Sequence, residues 1–164
     1  MNNPNIQQFD ELVEKLRERF PDLEFSENRD APVERAYDLE EKNADGGSVH
    51  INLQNGDEFH LNIGEHFWCE WFPCDKDDVA EQYYDSVEGF IEGRHRLVDF
   101  FRGDKCYKSQ LQKNEKEEWR PIANSMHASA LFTWPWSKKH TRITIRSEQD
   151  SAHQSMTQSR QVKD

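Results

Sequence analysis

The segment from residue 76 to residue 92 has two opposed faces. Asp78, Glu81, Asp85, Glu88 and Glu92 recur in steps of three and four, which aligns them in one strip along a helix. Val79, Tyr83, Val87, Phe90 and Ile91 fall on the other side, as in a helix packed against a core. Asp75 is placed to cap this helix and Gly93 to end it. Within the segment no Lys or Arg interrupts the acidic strip. Like charges at this spacing cost about 0.2–0.5 kcal/mol per pair, and anions near a helix C-terminus oppose the macrodipole. A uniform negative strip kept against that cost suggests a docking face.

A second helical stripe lies near the N-terminus. Asn3 and Pro4 form a start signal, and Ile6, Phe9, Leu12, Val13, Leu16 and Phe20 follow at helical spacing until Pro21 stops the run. A helix is predicted over 4–19. Between the two helices the pattern changes to period two. Leu23 and Phe25 predict a short strand, and Val33, Arg35, Tyr37 and Leu39 alternate with Glu34, Ala36, Asp38 and Glu40, predicting another across 33–41.

The Asn55-Gly56 pair marks a hairpin whose register the pattern restricts. A two-residue loop would place Ile51 opposite His60 and mix apolar with polar side chains. A three-residue loop, Gln54-Asn55-Gly56, sets Ile51 against Phe59 and Val49 against Leu61, keeping one face apolar. It also places His50 opposite His60. The following strand is expected to run past Gly64 through the aromatic segment 67–72 to Pro73. After the second helix, 96–101 and 105–112 form a hairpin around Gly103-Asp104. Segments 119–122, 128–134 and 141–146 read as extended, with Pro121 and Pro135 indicating edges or interruptions. The predicted fold is α+β, with two helices on one face of a mainly antiparallel sheet in the order α-β-meander-α-β-meander. Residues 1–146 are expected to form one domain, followed by a polar, disordered tail over 147–164.

Charge is distributed unevenly. Residues 1–100 hold 9 Lys and Arg against 25 Asp and Glu, whereas residues 101–164 hold 12 against 7. A strongly negative half repels nucleic acid and anionic membranes and attracts basic proteins. Aromatic residues make up 12% of the chain, too many for a disordered polymer of this charge, and their rings are expected to fill the core. The aromatics of 67–72 that escape burial would offer hot-spot contacts. No stretch has the apolar length of a membrane span, and three cysteines outside any secretory pattern fit a cytoplasmic protein.

Several clusters contain residue types used in catalysis. His66, Cys69 and Cys74 are of the kinds that bind zinc, and His60 or Cys106 could complete four ligands, but the spacing is not that of a zinc knuckle, and buried core thiols are the expected reading of the cysteines. His50 and His60, with Asn52 and Glu58 beside them, could bind a metal as cross-strand neighbours. Cys69 with His66 or His95 would be a nucleophile and base, yet no nucleophile elbow or cysteine-protease signature surrounds it, and there is no phosphate-binding glycine loop.

The expectation is therefore a non-enzymatic, acidic protein-binding module without a cofactor. It would dock a basic protein through Glu81, Asp85 and Glu88, flanked by Asp78 and Glu92. In size, charge and architecture the chain resembles small acidic immunity and inhibitor proteins. The alternative is a small metal-dependent or thiol enzyme around His50, His60, His66 and Cys69.

Overall fold

The computed structural model describes residues 3–41, 48–128 and 137–146. Helix α1 spans Pro4–Arg19, with the Asn3 side chain accepting from the Asn5 amide at 3.0 Å. Strands β1 (Leu23–Glu27), β2 (Arg35–Glu41), β3 (Val49–Gln54), β4 (Glu58–Ile63) and β5 (Phe67–Trp71) form an antiparallel meander in chain order. Helix α2 (Asp77–Ile91) follows. Strands β6 (His95–Arg102), β7 (Lys105–Glu115), β8 (Glu118–Met126) and β9 (Lys139–Thr144) build a second antiparallel sheet in the order β8-β7-β6-β9.

The α+β class and the antiparallel pairing agree with the sequence reading, but the strands divide into two sheets. Both helices cover one face of the first. Tyr37, Phe9, Phe59, Tyr83 and Trp71 form a chain of rings with centroid spacings of 6.3, 5.5, 4.9 and 5.3 Å. It links β2, α1, β4, α2 and β5. Leu97, Leu111 and Ala123 of the second sheet join the same core. Phe9, Leu16, Val87 and Phe90 are fully buried, as the two apolar stripes require.

The local differences have physical causes. The first hairpin loop has an odd length, but it is Asn55-Gly56-Asp57, with Gln54 paired to Glu58 and Ile51 to Leu61. Asn55 and Gly56 both take positive φ (55° and 80°), and the Asp57 amide donates to the Gln54 carbonyl at 3.3 Å. This is the Asn-Gly geometry of a type I′ turn with Asp57 as the extra residue. The loop is held from outside, because Asn3 and Asn5 each donate a side-chain N–H to the Gly56 carbonyl. His50 therefore opposes Asn62 and His60 opposes Asn52.

The strand expected to run on past Gly64 instead folds back there. Gly64 has φ +59°, and β5 pairs antiparallel with β4 from Ile63–Phe67 onward. Asp75 does not cap α2; Lys76 holds the cap position without a side-chain bond, while Asp77 and Asp78 occupy the first turn, where the dipole favours anions. Pro121 sits in edge strand β8 beside a register shift at Leu111/Gln112, as its missing N–H predicts. The expected strand 128–134 lies almost wholly outside the described residues, and the tail 147–164 does so entirely.

Candidate functional site

Tertiary structure divides the acidic strip. Asp78 and Glu81 are exposed and make no ion pair among the described residues. Glu88 is buried, and Asp85 and Glu92 are half-buried. Lys113 from β7 bonds Asp85 at 2.9 Å. Arg94, just beyond α2, reaches Asp85 at 3.2 Å, Glu88 at 2.8 Å and also Glu92. Arg19, at the end of α1, reaches Glu92 at 2.5 Å and Glu88 at 3.2 Å.

Burial alone would raise the Asp85 carboxyl, but hydrogen bonds from Lys113 and Arg94 outweigh it and hold it below the usual carboxylate range. Glu92 is lowered in the same way, burial being overcome by bonds from Arg94 and Arg19. The repulsion and dipole cost inferred from the sequence is thus answered by Arg94 just past the helix and by Arg19 and Lys113, which are distant in the chain. Neutralising Asp85 and Glu88 would strand those cations rather than relieve strain.

The exposed end of the strip borders a cleft of about 610 Å³ between the two helices. Leu12, Ala80 and Tyr84 contribute apolar surface, and Glu11, Asp77 and Glu81 stand around them with Lys15. Sequence reasoning missed Glu11 and Asp77. Glu11 comes from the other helix, and its position across the cleft is decided only by packing. A second cleft runs along α1 past Asp10, Glu14 and Arg35. Neither cleft is lined by His50, His60, His66 or Cys69.

Those four residues do not converge. Inner positions of β3 and β4 (Ile51, Leu53, Phe59, Leu61) belong to the core, so by period-two alternation His50, Asn52, Glu58 and His60 occupy the outer face. His50 pairs with Asp38. His66 packs edge-on to Phe101 at 5.6 Å and His127 at 5.9 Å. Cys69 packs against the core and Cys74 lies within it. Burial raises the Cys69 thiol and, aided by Asp57 and Asp75, pushes Cys74 up to about 11. Neither suits a nucleophile at neutral pH. The aromatic run is divided by the same alternation: Phe67 is buried and Trp71 packs on Tyr83, while Trp68 and Phe72 are exposed.

His60 is the most constrained of the four. It is 3% exposed, and its Nδ1 accepts from the Trp68 indole N–H at 3.1 Å. An indole nitrogen only donates, so the proton of the neutral ring is on Nε2, which faces Glu58 Oε2 at 3.3 Å. The Tyr83 hydroxyl donates to the His60 backbone carbonyl at 2.8 Å, tying α2 to this point of β4. Glu70 lies directly opposite His60 on β5. Among the described residues, Glu58, His60 and Glu70 are the metal-ligating group whose donor atoms all lie within 4.8 Å of one another.

Comparison with protein-family models, curated proteins and solved structures finds no match to this chain.

Proposed function

We propose that this chain is a non-enzymatic module that docks a basic protein, in the manner of an immunity or inhibitor protein, at the acidic cleft between α1 and α2. The observation that supports this most is the pairing of Leu12, Ala80 and Tyr84 with the carboxylates of Asp77 and Glu81 in one cleft, neither of which forms an ion pair among the described residues. A Lys or Arg side chain lays its stem on an apolar surface and presents its head to the acidic rim. The negative charge of the first hundred residues steers such a partner inward.

In this reading Glu81 is the centre of the contact and Asp78 flanks it, with Asp77 and Glu11 completing the rim. Asp85, Glu88 and Glu92 brace the cleft through their internal cations. No described helix is long and apolar enough to cross a membrane, and three free cysteines fit a reducing cytoplasmic setting.

The test is a low-salt pull-down followed by measured binding of the recovered partner to full-length protein. Changing Asp77→Asn, Asp78→Asn and Glu81→Gln together should slow association and flatten its salt dependence, while the far-UV circular dichroism is unchanged and the melting temperature falls by only a few degrees, the cost of removing two first-turn anions at about 0.3–1 kcal/mol each. A partner indifferent to both salt and the triple change would remove the cleft from the interface.

A further inference from the structure

The geometry points to a divalent transition-metal site on the outer face of the first sheet, formed by Glu58, His60 and Glu70, with Trp68 as a displaceable plug. This face is opposite the helices, and the inference does not depend on the docking cleft. Asn52, His60 and Glu70 form a straight row across β3, β4 and β5, and Glu58 stands two residues before His60 on the same face. A tetrahedral metal with bonds of ~2.1 Å sets its donors roughly 3.4 Å apart. The three donor atoms, already within 4.8 Å of one another, therefore need only rotate inward. Glu70 is exposed and Glu58 half-buried, so both have room to do so.

A second feature is independent of those carboxylates. The Asn52 side-chain oxygen is buried and makes no hydrogen bond among the described residues. It belongs to the residue directly opposite His60. Leaving a buried carbonyl unpaired is costly, and a metal or its bound water would satisfy it. One imidazole nitrogen with two carboxylates suits Zn²⁺ or Mn²⁺ better than Ca²⁺, which prefers an all-oxygen shell.

The Trp68 bond determines how the site would load. A metal needs the lone pair of His60 Nε2, which now carries the proton. That proton must move to Nδ1, where it meets the Trp68 N–H donor-to-donor. The indole bond then breaks, and Trp68, already 48% exposed, turns outward. The imidazole stays neutral throughout, and no proton is lost from the ring. Metal ligands normally donate their second ring nitrogen to an acceptor; here Trp68 holds the opposite tautomer and so competes with the metal.

The experiment is a calorimetric titration of chelator-stripped, full-length protein with Zn²⁺, followed in parallel by tryptophan emission. One saturable site per chain is expected, with a change in indole emission on loading. Glu58→Gln and Glu70→Gln should each weaken binding at least tenfold, with far-UV circular dichroism unchanged. Trp68→Phe should abolish the emission change while binding as tightly as the parent or more tightly, because the competing donor is gone. Ca²⁺ should bind more weakly than Zn²⁺. No saturable binding, or binding undiminished in the double Glu58→Gln/Glu70→Gln variant, would overturn the site. A Trp68→Phe protein that binds more weakly, or that keeps the emission change, would overturn the role given to Trp68.

Discussion

Gly89 lies inside α2, where a glycine is normally a liability. Replacing an interior helical glycine with alanine ordinarily stabilises by about 1 kcal/mol. The opposite is expected here. A Cβ on residue 89 would stand 2.5 Å from His95 Nδ1 and 2.7 Å from Nε2, and closer still to the carbon between them. Favourable contacts of this kind begin near ~3.5 Å. The His95 ring is fully buried and cannot swing away, so either α2 or β6 must move. Overpacking of this kind costs about 1–3 kcal/mol, and the upper end applies because three ring atoms are struck together. Set against the propensity gain, Gly89→Ala should lose about 2 kcal/mol. In a domain of this size that lowers the melting temperature by roughly 4–8 °C. Urea denaturation should show a lower midpoint at unchanged slope. In a His95→Ala background the same change should cost little or become stabilising, since the two positions are coupled through contact. A Gly89→Ala protein as stable as the parent, or an undiminished loss in the His95→Ala background, would refute the reasoning.

The acidic strip should respond in two ways: Glu88→Gln should destabilise by about 1–3 kcal/mol because it removes charge-assisted bonds to Arg19 and Arg94, whereas Glu81→Gln should stay within ~0.5 kcal/mol, both read from urea melts. Stability should also fall as pH drops, in two ranges. Burial lowers His95 below the usual imidazole range, with Asp85 opposing; the unfolded chain then takes up its proton first, and stability declines from about pH 6.5 downward. Asp85 and Glu92, also lowered, contribute stability that is present above about pH 4 and lost below it. His95→Gln should remove the upper decline and leave the lower one, as followed by melting temperature against pH. Finally, Cys74, buried and raised to about 11, should react with a thiol reagent at neutral pH far more slowly in native protein than in denatured protein; equal rates by absorbance would contradict its burial.

Residues close in the chain specified most of the local structure. The α1 boundaries follow from Asn3-Pro4 and Pro21, and the α2 stripe from the spacing of Tyr83, Val87 and Phe90, because helical period and caps are set within a few residues. The odd parity of the Asn55-Gly56 loop was legible for the same reason: one face of β3 and β4 must stay apolar. Its exact position was not legible, since either placement of three loop residues preserves that face; the side chains of Asn3 and Asn5, about fifty residues away, hold the loop at Gly56. The five-carboxylate strip was visible in sequence, but its division into braced and open parts was not. Arg19, Arg94 and Lys113 come from α1, the α2–β6 turn and β7, and only the packing of these elements brings their charge to Asp85, Glu88 and Glu92. His60 was a candidate as the expected cross-strand neighbour of His50, a pairing the actual register replaces with Asn52. That Trp68 rather than His50 meets its ring, and that Glu70 stands opposite, depends on the turn at Gly64, a tertiary choice between extending a strand and pairing it back on itself.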